Sequence, residues 1–180
     1  MSTEEQVSAS SSTTTGSSST DGPGGTAPIV RTLTVAVPPE RAFNVFTAGM
    51  ARWWKADYHL GEQPLVDVVV EPHAGGRWFE RDAAGTECAW GHVIAWEPPG
   101  RVVLAWQVGA DWVFDASLVT EIEVRFTPET GPDGSVATRV DFEHRGLEAY
   151  GERAAEMRAS LGASDGWTGL LDGFATAVAG

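Results

Sequence analysis

Glu80, Cys88, His92 and His144 are the side chains best able to move a proton, hold a ligand's polar end or bind a metal. All four fall at even positions in a tryptophan-rich stretch whose hydrophobic period is two. A carboxylate or imidazole placed among indoles is costly unless it is paired, solvated or used, so these positions ask for partners or a ligand. As a metal site they are poor. His92 and His144 would need a third ligand such as Glu80, which stands about four residues along the ladder from His92, and no metal is expected. Cys88, alone in the chain, excludes an internal disulfide and a multi-cysteine cluster, and reads as a small apolar filler with no basic neighbour to make it a thiolate. Asp82 and Glu87 flank a turn and read as solvated. No phosphate-cradling glycine loop, nucleophile elbow or zinc-helix motif occurs, so neither a catalytic set nor a cofactor is expected.

The elements that would position these residues follow from periodicity. Ile29 to Val37 alternates as a strand. Pro38-Pro39-Glu40 then opens a helix, with proline suited to its first turn and the carboxylate to its dipole; Ala42, Phe43, Phe46 and Met50 share one face. From Leu65 the period becomes two, giving strands at 65–71, 77–82, 86–96, 101–109, 118–127 and 135–144, separated by Gly- and Pro-rich turns that make antiparallel hairpins. From Leu147 the chain is helical, with a break at 162–166 and a second apolar face of Trp167, Leu170, Leu171, Phe174 and Val178. The order β-α-α-β-β-β-β-β-β-α predicts an α+β fold, an antiparallel sheet packed on a C-terminal helix.

Hairpin register then says which side chains point inward. The Ala83-Ala84-Gly85 turn sets Trp78 opposite Trp90 and Glu80 opposite Cys88. The Glu97–Arg101 turn sets Ile94 opposite Leu104 and His92 opposite Trp106. Further on, Ile122, Val124 and Phe126 face Val140, Thr138 and Val136. Even positions from 78 to 144 thus form a concave aromatic face with a few polar handles, as ligand cavities have. Glu121, Glu123, Arg125, Arg139, Asp141 and Glu143 form a solvated outer face. Gly166, Gly169, Gly173 and Ala177 make a small-residue stripe on the last helix, which leaves room for a ligand or lets backbones approach.

Composition narrows the classes. The chain of 180 residues has 25 acidic against 12 basic side chains and a formal charge of −13, so phosphate backbones and anionic membranes would repel it and nucleic acid is not an expected partner. No apolar run approaches the roughly 20 residues of a membrane helix, and no secretory pattern opens the chain; a cytoplasmic location is expected. Residues 1–27 hold 14 Ser or Thr and 4 Gly, a composition too poor in apolar surface to fold, so a disordered tail is expected before one domain at 28–180. Eight tryptophans in such a chain call for a physical reason.

The segments VPPERAFNVFTAGMARWW, VEPHAGGRWFERDAAGTECAWGHVIAWEPPGRVVLAW, TEIEVRFTP and TRVDFEHRGLE, followed by a terminal helix, resemble the START-like SRPBCC superfamily from about Ile29 to Val178. The similarity is greatest to bacterial single-domain homologues of the activator of heat-shock-protein-90 ATPase. The resemblance implies a helix-grip fold, a curved sheet of six to seven strands wrapped around a long C-terminal helix with a hydrophobic cavity between. The superfamily includes carriers, polyketide ring-closing enzymes and co-chaperone domains, with no shared catalytic motif. The expected function is therefore binding of a small hydrophobic or amphipathic molecule. Trp78, Trp90, Trp106, Phe126, Trp167 and Phe174 would stack on it, Glu80, His92 and His144 would orient it, and Trp54 and Trp112 would stand near the mouth. Two other readings stay open: a cyclase or hydrolase with Glu80 or His144 as general base, and a stress-related protein-interaction domain using the acidic outer face.

Overall fold

The computed structural model describes residues 26–180. The tail expected at 1–27 lies outside them, but for Thr26 and Ala27. The chain runs β1 (Ile29–Val35), α1 (Pro39–Phe46), a 3-10 turn (Met50–Arg52), β2 (Leu65–Val70), β3 (Arg77–Asp82), β4 (Glu87–Glu97), β5 (Arg101–Trp106), β6 (Thr120–Thr130) and β7 (Val136–Arg145). A 3-10 turn (Leu147–Arg153), α2 (Ala154–Leu161), a π turn (Ser164–Thr168) and α3 (Gly169–Ala179) complete it. All seven strands join one antiparallel sheet in the order β1-β7-β6-β5-β4-β3-β2. Sequential hairpins build it from β2 to β7, and β1 closes the far edge against β7. The sheet curls around the C-terminal helices: the α+β arrangement expected from the residues, in the helix-grip form that the family resemblance implies.

Each element buries the face its spacing implies. Helix α1 has proline at its start and Glu40 in its first turn, and it buries Ala42, Phe43, Val45 and Phe46. Phe174 of α3 meets Phe46 edge-on with ring centroids 5.4 Å apart, so α3 packs on α1 inside the curve of the sheet. The C-terminal helical stretch is segmented, with one break inside the 162–166 segment where a break was expected and a further kink at Gly151. Gly151 leaves helical geometry at φ 59°, and Gly166 leaves it at ψ −132°. A Cβ on Gly166 would stand 2.3 Å from the Leu161 carbonyl oxygen, so the chain folds tightly there because no side chain intervenes. The small-residue stripe has the second of its two expected uses. A Cβ on Gly173 would meet the Trp53 carbonyl oxygen at 2.9 Å, so the stripe brings α3 against the segment after α1.

The expected registers of three hairpins are corrected. Glu80 does face Cys88, but two residues along β3 Trp78 pairs with Gly91, and Trp90 is the extra residue of a β-bulge. Strand β4 therefore changes parity. Gly91, not His92, stands opposite Trp106, and Val93, not Ile94, stands opposite Leu104. A second bulge at Ile94 restores the original phase, so Trp96 again points inward and packs edge-on against Phe43 at 5.0 Å. Between the bulges His92 is turned to the outer side, where its Nδ1 lies 2.9 Å from Oε1 of Gln107. In the last hairpin Ile122, Val124 and Phe126 pair with His144, Phe142 and Val140. The ladder continues out to Thr130 and Val136 before the turn, four residues beyond the expected pairing. Four is even, so the inward face survives that slip.

Candidate functional site

Five tryptophans converge where β4 and β5 meet the C-terminal helices. Trp54 follows the 3-10 turn, Trp90 sits at the first bulge, Trp106 ends β5, Trp112 rides the β5–β6 loop, and Trp167 lies in the π turn. Ring centroids are 4.7 Å apart for Trp54 and Trp90, 5.9 Å for Trp90 and Trp106, and 5.8 Å for Trp54 and Trp167. These five line a cavity of about 380 Å³ together with Asp57, Tyr58, His59, Leu60, Leu161 and Asp165, among others. That volume lies within the range of about 300–1,000 Å³ typical of small-molecule sites.

The other candidates stand behind this wall. Trp78 packs on Trp90 and Trp106 at 5.5 and 5.4 Å, but from the side away from the cavity lining. Phe126 and Phe174 belong to the opposite end of the core, around Phe46. Glu80 is 1% exposed, and its carboxylate accepts hydrogen bonds from the backbone N–H groups of Leu60 (2.8 Å) and Gly61 (2.6 Å) and from the Trp90 indole (2.7 Å). It thereby fastens the loop carrying Asp57 to Leu60, one wall of the cavity, to the indole that forms the next wall. Its burial is explained by satisfaction of its oxygens by these N–H donors.

His144 is fully buried and its protonation follows from its partners. The Trp167 indole N–H donates to Nδ1 (3.0 Å), so the proton sits on Nε2, which donates to the Thr120 hydroxyl (2.8 Å); that hydroxyl in turn donates to the Trp106 carbonyl (3.0 Å). Burial lowers its pKa to about 3, so the ring is neutral and its basic nitrogen is occupied. This chain of bonds ties two cavity tryptophans, 106 and 167, to one buried imidazole. Burial also pushes the half-buried Cys88 thiol up, and the Glu80 and Asp82 carboxylates push the same way. Among the described residues no three His, Cys, Asp or Glu side chains come together as a metal site.

The 57–59 loop and the backbone geometry at Trp112 are features of the cavity that periodicity does not show. Asp57, Tyr58 and His59 lie in a loop with no repeat, and only Glu80's inward position hinted that something must satisfy it. Trp112 adopts φ 59°, left-handed geometry rare for a large side chain, and is 47% exposed at the mouth beside the exposed Val113 and Phe114. Arg153 pairs with Asp111 next to it and so braces that loop. The Trp106 indole N–H is buried against the Tyr150 hydroxyl, which in turn donates to the Val108 carbonyl at 2.9 Å.

A curled seven-stranded sheet gripping C-terminal helices over an aromatic interior defines the polyketide cyclase-like, SRPBCC-type class of helix-grip domains. Residues 36–179 match the sequence profile described as activator of Hsp90 ATPase homolog 1-like protein, and the chain belongs to that family. Among solved structures it is similar to an anthrahydroquino-gamma-pyrone synthase, Txn09, solved in complex with a ligand. The two share 33% identity over 83% of this chain and 96% of that one, with a TM-score of 0.59. It is also similar to CalC, a self-sacrificing resistance protein from Micromonospora echinospora, at 25% identity over 86% of this chain and 95% of that one, TM-score 0.61. A protein from Nitrosomonas europaea, NE0264, shares the fold at 12% identity, TM-score 0.56, over 84% of this chain and 94% of that one. No curated protein matches the chain. The family, the fold and the buried aromatic cluster fit ligand binding, and no helix among the described residues is long and apolar enough to cross a membrane.

Proposed function

We propose that the chain binds a small, planar, largely apolar molecule in the cavity between sheet and C-terminal helices. The observation that carries this reading is the convergence of Trp54, Trp90, Trp106, Trp112 and Trp167 on one opening of about 380 Å³. Flat indole faces at several tilts stack on flat ligands, adding about 0.5–1.5 kcal/mol per aromatic pair beyond area burial. The likeness to a protein named as an anthrahydroquino-gamma-pyrone synthase supports a fused-ring ligand.

The test is a titration of intrinsic tryptophan fluorescence with 2-methoxy-9-fluorenone, a planar tricyclic ketone. Saturable quenching is expected, and Trp112→Ala, at an exposed position that does not hold the core, should weaken it by about three- to tenfold. Absence of saturable quenching, or an unchanged affinity in Trp112→Ala and in Trp54→Leu alike, would reject the cavity as the site. Chromatography of the recovered ligand separates a carrier, which returns it unaltered, from an enzyme, which does not.

A further inference from the structure

The cavity wall includes one imidazole whose geometry is set by backbone. His59 Nδ1 lies 2.8 Å from the Gly61 carbonyl oxygen. A carbonyl can only accept, so Nδ1 carries the proton and, in the neutral ring, Nε2 is left as a bare acceptor. No side chain or backbone group among the described residues hydrogen-bonds that Nε2, and His59 lines the opening. The orientation is fixed at one remove by Glu80, whose carboxylate holds the Leu60 and Gly61 N–H groups and hence the carbonyl that His59 leans on.

The other polar groups of the lining are committed or wet. The Tyr58 hydroxyl donates to the Asp165 carbonyl at 2.8 Å, an oxygen it shares with the Lys55 ammonium outside the lining, and Ser160 is exposed to water. The Asp57 and Asp165 side chains stand on the exposed rim, where water satisfies them. The Trp106 N–H is a donor and cannot receive a proton. That leaves His59 Nε2 as the half-buried acceptor with a defined direction.

We propose that His59 is the specificity-determining contact of this cavity, accepting a hydrogen bond from a free phenolic hydroxyl on the bound molecule, so that the ligand class is a hydroxylated planar aromatic. This rests on the cavity reading above and is tested separately from it. A site built to accept an O–H discriminates against the O-methyl analogue, which has no proton to give and leaves Nε2 facing an ether.

The experiment compares 2-hydroxy-9-fluorenone with 2-methoxy-9-fluorenone by fluorescence titration at neutral pH, in the full chain and in His59→Phe and His59→Gln variants whose folding is checked by circular dichroism. Wild type should bind the hydroxyl compound about tenfold more tightly. His59→Phe should bring the ratio of the two affinities to near one, and His59→Gln, with an amide oxygen that still accepts, should restore part of it. The nitrogen NMR signal of His59 Nε2 should shift on adding the hydroxyl compound and not on adding the methyl ether. Equal affinities in wild type, or a ratio that survives in His59→Phe, would overturn the assignment while leaving the cavity in place. If neither compound binds, the cavity reading falls and His59's role falls with it.

Discussion

Two buried polar residues, Glu80 and His144, carry more of this architecture than any single tryptophan, because each closes a set of hydrogen bonds that would otherwise be left unpaired. Replacing Glu80 with Gln keeps the size but substitutes an amide NH2 for one oxygen facing N–H donors. A loss of roughly 2–4 kcal/mol is expected in urea unfolding, with faster hydrogen exchange at the Leu60 and Gly61 amides. For His144 the sign follows from its pKa, lowered by burial to about 3. Below about pH 6.5 the unfolded chain takes up a proton that the native chain refuses, so stability falls by about 1.4 kcal/mol per pH unit as the solution is acidified. His144→Gln, which can still accept from Trp167 and donate to Thr120, should flatten that slope between about pH 6.5 and 4.5. Below that window Glu123 adds to the loss: burial opposes its ionisation, but hydrogen bonds from Arg101 and Arg125 hold its carboxyl below the usual range, so its contribution fades as it is protonated.

At the scale of the element, strand β4 decides what the cavity contains. Its two bulges place Trp90 inward, turn His92 outward and return Trp96 to the core. Gly91 is the pivot, since a Cβ there would stand 1.7 Å from the Ala105 carbonyl oxygen, closer than any rearrangement of side chains could relieve. Gly91→Ala should therefore destabilise by more than about 3 kcal/mol or prevent folding, read as a lowered urea midpoint or as loss of soluble protein. Much of this was legible beforehand. The strands, the hairpin order, the inward places of Glu80, Trp106 and His144 and the helical ends all follow from periods of two and 3.6 and from turn residues. The bulges were not legible, because a bulge adds one residue without disturbing the local alternation of types, and His92 was consequently given to the wrong face. The loop from Asp57 to Gly61 was equally silent, having no repeat to read.

The molecule as a whole behaves as a sheet closed over helices with one opening left among the indoles. A ligand that binds only the native state should stabilise it by about 2.7 kcal/mol at one hundred times its Kd. For a chain of this size that is a rise of roughly 5–10 °C in Tm. Thermal unfolding with 2-hydroxy-9-fluorenone should show that rise and show it reduced in Trp112→Ala; a Tm independent of ligand would count against the cavity. The same picture explains the surplus of tryptophan. Trp53, Trp78 and Trp96 fill the core, and the remaining five face the opening.

From its residue order alone this chain determines its class of fold and, outside the bulged part of β4, the inward side of its sheet, because hydrophobic period and turn chemistry are local properties. Which aromatic residues share a cavity and which lie behind it was decided by the tertiary structure. Trp54, Trp112 and Trp167 come from three separate segments, and only the curl of the sheet, the broken terminal helix and the Glu80 anchor bring them to one opening. His59 became a candidate for the same reason. Its meaning lies in a carbonyl two residues away, a carboxylate on another strand and an empty space beside it, and none of these is a property of the sequence around it.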